Sequence, residues 1–80
     1  MDNLKKYNEI FMEVFSVDES ALGKDFNNET VGDWDSIHQM NLISYLEDTF
    51  DVIFAGMDSL SLNSYEAGIQ ILSSKYDVNF

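Results

Sequence analysis

Apolar residues recur along this chain at helical spacing, and no stretch sustains a strict two-residue alternation. Leu4, Tyr7, Phe11, Val14 and Phe15 share one face if Asn3 to Phe15 is a helix, which Asp2 or Asn3 could cap. A second periodic run extends from about Ser36 to Phe50, with Asp35 or Ser36 where an N-cap belongs. Advancing about 100° per residue puts Leu42, Ile43, Tyr45, Leu46 and Phe50 on one broad core side. A short element is expected near Met57 to Leu60, after Gly56. A last helix begins at Asn63 or Ser64, where Asn63 and Glu66 resemble a capping box, and it buries Tyr65, Gly68, Ile69, Leu72 and Tyr76.

Between the first two helices lies a long connection, Ser16 to Asp35, punctuated by Gly23, Asn27, Asn28 and Gly32. Its apolar residues Val17, Leu22, Phe26, Val31 and Trp34 can anchor it on a core, and a short helical turn is expected near Glu19 to Leu22. The predicted fold is therefore all-α: a small four-helix bundle of three longer helices and a short third one, with a long first loop. Residues 1–80 make one small domain. Proline is absent, which lets each helix run uninterrupted.

Charge changes the picture more than composition does. Fifteen acids face four lysines, for a net charge of −11. Such a field repels nucleic acid and anionic membranes, and it attracts basic protein surfaces. The same acidity also serves simply to keep a small protein in solution. There is no cysteine, so disulfides, thiolate metal sites and a catalytic thiol are excluded. Met1 to Lys6 does not lead into an unbroken apolar run, so neither a signal peptide nor membrane insertion is expected, and the expected compartment is the cytoplasm.

The candidate chemistry sits at the start of the second helix. Ser36 follows Asp35 at a helix N-terminus, where backbone N–H groups favour a phosphate. An Asp-Ser pair is more often only a helix cap. The only histidine, His38, is two residues from Ser36, and side chains at that spacing do not face each other. A Ser-His nucleophile is thus not available, and Ser36 reads as a modification site rather than a catalyst. Ile37 and Met40 lie nearly opposite Leu42 on the wheel, beside Ser44 and Glu47. They are either isolated surface residues, which are common, or a docking patch for partner enzymes.

The segment Asp33-Trp34-Asp35-Ser36-Ile37-His38-Gln39-Met40-Asn41-Leu42, continuing through Glu47-Asp48-Thr49-Phe50, resembles the signature of acyl carrier proteins. The long first loop, the short third helix and a fourth helix opening Leu62-Asn63-Ser64-Tyr65-Glu66-Ala67 extend the resemblance over the whole chain. Asp58-Ser59-Leu60 matches the family tripeptide more closely, but no long amphipathic helix follows it. The resemblance implies a carrier without catalytic activity, a monomer bearing 4'-phosphopantetheine on Ser36. A phosphopantetheinyl transferase would attach that arm from coenzyme A with Mg²⁺, and Asp35 would help the transferase recognise the site. The arm's thiol would hold acyl groups as thioesters. Acyl-loading and acyl-transfer enzymes would be the other partners, with Ile37, Met40, Ser44, Glu47 and Asp48 as contacts. The Trp before Asp-Ser is closer to carriers of secondary or polysaccharide-linked pathways than to the housekeeping fatty-acid carrier. His38 and Asn41 stand where family members commonly carry acids, which points to partners with a less basic or differently placed patch.

Other readings share the charge and the helices. A peptidyl or D-alanyl carrier would use the same arm, and an acidic protein-binding adaptor would need no exposed Ser36. A calcium site is disfavoured, since Asp33 and Asp35 have the spacing of an EF-hand start without its glycine and later ligands.

Overall fold

The apolar stripe of the first helix is where the core begins. The computed structural model describes residues 3–80 and, among them, folds into four α-helices with no strand. Helix α1 spans Asn3–Phe15, α2 Ser36–Phe50, α3 Gly56–Ser61 and α4 Tyr65–Lys75, with a 3₁₀ turn at Glu19–Ala21. The bounds of α1 and α2 coincide with the predicted ones. Asp2, the alternative cap of α1, lies outside the described residues.

Tyr7 and Phe11 are fully buried and Phe15 nearly so. Leu4, one turn earlier on the same stripe, is exposed, whereas Ile10 and Asn8 are buried beside it. The aromatic rings of α1 collect those of the other segments. Phe11 meets Phe26 at 5.8 Å and Tyr65 at 5.4 Å between centroids, and Phe15 meets Phe26 at 5.3 Å and Trp34 at 4.9 Å. Most of these pairs are tilted or edge-on, the arrangement that aromatic quadrupoles favour.

The long loop is ordered through these same anchors. Phe26 is buried, and Val17, Leu22, Val31 and Trp34 pack half-buried against the core. Its backbone is tied to the start of α4: the Asn28 N–H donates to the Asn63 carbonyl at 3.0 Å and the Tyr65 N–H to the Phe26 carbonyl at 2.8 Å. Asn27 closes a local turn by accepting the N–H groups of Glu29 and Thr30 on Oδ1. This bridging explains one correction. Asn63 spends its carbonyl on the loop, and Ser64, extended and one residue later, becomes the cap: its Oγ accepts the Ala67 N–H at 2.9 Å. The predicted Asn63–Glu66 box is not formed in that register.

A second correction concerns α2. Leu42 and Leu46 are fully buried, and Ile43 and Phe50 are half-buried, but Tyr45 is 45% exposed. Tyr45 lies about 80° around the wheel from the midpoint of Leu42 and Leu46, so it falls at the margin of a narrower face than expected. On α4 the buried residues are Gly68, Ile71 and Leu72, with Tyr65, Ile69 and Tyr76 half-buried.

Gly68 has a packing reason. The Tyr7 hydroxyl crosses from α1 to donate to the Tyr65 carbonyl at 2.6 Å. A Cβ on Gly68 would collide with that hydroxyl and stand 2.8 Å from Leu62 Cδ1. Helix α3 is fastened differently. Asp58 on it is buried and accepts Lys75 Nζ at 2.7 Å and the Tyr76 hydroxyl at 2.7 Å. The Ala55 N–H in turn donates to that tyrosine oxygen at 3.0 Å. Bonds from Lys75 and then from Tyr76 hold the Asp58 carboxyl below its ordinary value of 3.8.

Two outcomes follow from this packing. Gly68→Ala should destabilise the fold by about 1–3 kcal/mol in urea unfolding, because overpacking against Tyr7 outweighs the better helix propensity of alanine. For Asp58, a depressed folded-state value means that its contribution is complete above 3.8 and disappears as pH falls through the lower folded value. The parent should therefore lose more stability than Asp58→Asn between about pH 5 and about pH 2, with a flat difference at higher pH up to neutrality.

Candidate functional site

Trp34, held among Phe11, Phe15 and Phe26, fixes the chain just before α2. Asp35 follows in extended conformation and caps the helix, its Oδ1 accepting the His38 N–H at 2.9 Å. The same oxygen is 2.8 Å from His38 Nδ1, which donates its proton because a carboxylate can only accept. The His38 backbone N–H, and then its side chain, hold the Asp35 carboxyl below its ordinary value. The His38 ring also stacks on Phe15 at 5.7 Å with 14° between planes. It is a flank residue committed to Asp35 and Phe15.

Ser36 is the first residue of α2 and is exposed. The helix end is already served by an anion, since the Asp35 carboxylate takes an N–H of the first turn. A phosphate on Ser36 would share that end with Asp35 and gain less from it than an uncapped helix would offer.

A cleft of about 410 Å³ opens beside Ser36 between α2 and α3. Ser36, Gln39 and Ile43 line it from α2, spaced so that they share a helix face, and Ser59 and Leu60 line it from α3. Asn28, Trp34, Asp35, Gly56, Leu62 and Asn63 complete it. Gln39 is its keystone. Its Oε1 accepts the Trp34 indole N–H, and its Nε2 donates to the carbonyls of Ser59 and Leu62, both at 2.9 Å. Sequence reasoning passed over Gln39; its place three residues after Ser36, on the row leading to Ile43, was the available signal. A larger depression of about 510 Å³ at the end of α1, lined by Glu9, Glu13 and Asp18, shares no residue with this cleft.

The residues predicted to meet partners do not behave alike. Ile37 and Met40 are 68% and 69% exposed, and Ser44 and Asp48 are exposed with them. Glu47 is half-buried, and its Oε2 accepts the Phe54 N–H at 2.9 Å, which braces the chain after α2. Ile53, Met57 and Leu60 add exposed apolar side chains that the wheel analysis of α2 could not contain.

The second Asp-Ser pair differs in kind. Asp58 is buried against Lys75 and Tyr76, and Ser59 is half-buried with its carbonyl taken by Gln39. The Asp35 side chain, by contrast, keeps 59% of its surface in solvent.

Among the described residues no group of three or more histidine, cysteine or acidic side chains is placed to hold a metal ion, and no helix is long and apolar enough to cross a membrane. No protein-family model matches the chain, and no curated protein matches it significantly.

The two sides of α2 should respond oppositely to substitution. Met40→Glu should change unfolding free energy by no more than about 0.5 kcal/mol, as exposed sites do. Leu46→Ala, at a fully buried position, should cost about 2–5 kcal/mol. Thermal or urea unfolding of both variants checks the orientation of the helix.

Proposed function

We propose that this protein is an acyl carrier that bears 4'-phosphopantetheine on Ser36 and presents thioester-bound acyl groups to partner enzymes in the cytoplasm. The observation that carries this reading is the contrast between the two Asp-Ser pairs. Asp35-Ser36 is exposed at the start of a long helix beside a cleft, whereas Asp58-Ser59 is built into the packing of α3. The site fits the group: an accessible hydroxyl receives the phosphodiester, and the adjacent cleft, with amide side chains along it, can shelter the end of the arm.

In this reading the chain performs no catalysis. A phosphopantetheinyl transferase with Mg²⁺ joins Ser36 Oγ to the phosphorus of coenzyme A that bears the pantetheine. The pyrophosphate bond breaks, the nucleotide portion leaves, and a base on the transferase takes the hydroxyl proton. Asp35, exposed and ionised next to the hydroxyl, is the recognition feature. Acyl-loading and acyl-transfer enzymes meet Ile37, Met40, Ser44 and Asp48, whose exposure leaves them open to contact. Glu47 contributes by holding the loop that leads into α3.

The test compares Ser36→Ala with Ser59→Ala after incubation with a broad-specificity transferase, coenzyme A and Mg²⁺, read by intact mass. Ser59→Ala should gain one arm, as the parent does. Ser36→Ala should gain none and remain folded, because the side-chain cap of α2 is Asp35 and survives the change. An arm on Ser36→Ala would move the site. A parent that accepts no arm from any transferase would leave an acidic protein-binding adaptor as the reading.

A further inference from the structure

Asp35 and Ser36 lie between two side chains that rest on the same ring. Trp34, just before them, packs on Phe15 at 4.9 Å, and His38, in the first turn of α2, stacks on Phe15 at 5.7 Å with 14° between planes. Phe15 is itself buried, so the order of the core reaches the start of α2 through it. The braced His38 ring delivers Nδ1 to Asp35 Oδ1 at 2.8 Å, and the same oxygen accepts the His38 backbone N–H at 2.9 Å. The Asp35 backbone is held as well: its N–H donates to the Asp33 carbonyl and its carbonyl accepts the Gln39 N–H, both at 2.9 Å. The carboxylate nonetheless keeps 59% of its surface in solvent. Capping requires only the backbone bond, which almost any residue at position 38 would supply. The imidazole therefore does something that forming the helix does not need. A second donor on the same oxygen, from a ring that cannot turn, sets the direction in which the rest of the carboxylate points.

We infer that His38 is a positioning residue: its Nδ1–H holds the exposed Asp35 carboxylate in one orientation, as a preset contact for the enzyme that modifies Ser36. This inference rests on the carrier reading and adds to it a residue that touches neither the serine nor the arm. Presetting a side chain that a partner would otherwise have to immobilise favours association by about two- to tenfold. The effect belongs in the KM for the carrier chain and leaves kcat unchanged.

The imidazole also packs on Phe15, and two substitutions separate that role from the donor. His38→Asn keeps a donor, because the amide nitrogen is bonded to Cγ as Nδ1 is, and removes most of the ring. His38→Phe keeps a ring on Phe15 and removes the donor. The experiment measures initial rates of arm attachment to the full chain against its concentration, with a broad-specificity transferase, coenzyme A and Mg²⁺. Urea unfolding ranks the stabilities of the same proteins, and Hα–Hβ scalar couplings of Asp35 report its rotamer. His38→Phe should raise KM about two- to tenfold at unchanged kcat, with averaged Asp35 couplings and little loss of stability. His38→Asn should lose more stability yet keep the parent's couplings and a KM near the parent's. The two rankings thus cross, whereas a purely structural role ranks the variants alike in stability and in transfer. A KM that follows stability, or Asp35 couplings unchanged in His38→Phe, overturns the inference while the carrier reading stands. A parent that accepts no arm overturns both.

Discussion

Every segment of this domain takes its position from one row of aromatic side chains on α1: Tyr7, Phe11 and Phe15. A chain of this size has few residues to bury, so large rings supply most of the available apolar area. Their placement sets the rest. Tyr7 reaches α4 and demands a glycine at 68, while Phe11 and Phe15 draw in Phe26 and Trp34 and so fold a twenty-residue connection onto the bundle. Trp34 then fixes the approach to α2, and Gln39 passes that order on to α3 through its three hydrogen bonds. The exposed serine at the start of α2 thus sits at the end of a continuous line of contacts that begins in the middle of α1.

Helix α3 shows what happens where apolar area runs out. Six residues are too few for a helix to persist by propensity alone. Two of its apolar side chains, Met57 and Leu60, face solvent. What holds it is polar: Asp58 to Lys75 and Tyr76 on one side, and Gln39 to the Ser59 and Leu62 carbonyls on the other. A short helix fastened by hydrogen bonds leaves a seam between itself and α2, and that seam is the cleft beside Ser36.

Sequence periodicity carried the helices well because buried apolar rows are what periodicity detects. The bounds of α1 and α2, the 3₁₀ turn near Glu19, the loop anchors and the outward direction of Ile37 and Met40 were all legible in this way. The unread parts are polar side chains whose roles depend on a distant partner. Gln39 and Asp58 look like surface residues in a linear pattern, and the bond from the Phe54 N–H to Glu47 joins residues that no local signature pairs. Asn8 is likewise buried, with its Oδ1 accepting the Tyr65 hydroxyl. The cap of α4 was misplaced by one residue because the pairing of Asn63 with Asn28 is a long-range contact that no local signature encodes.

His38 decides what kind of chemistry Ser36 can take part in. It is the chain's only histidine, and it is doubly committed: Nδ1 to Asp35, and the ring face to Phe15. A base that activates a serine must come within hydrogen-bond reach of its hydroxyl, and turning His38 toward Ser36 would break both contacts. Asp35 is no substitute, because its carboxyl is held below the ordinary value and is therefore a poor acceptor for a hydroxyl proton near neutral pH. In the proposed reading, activation of Ser36 falls to a group on the transferase. Exposure of the serine, exposure of the neighbouring carboxylate and uncovered apolar residues one and four positions on are the features such a visitor needs. The Asp35 contact that occupies His38 thus leaves the Ser36 hydroxyl exposed and without a base from the chain's only histidine.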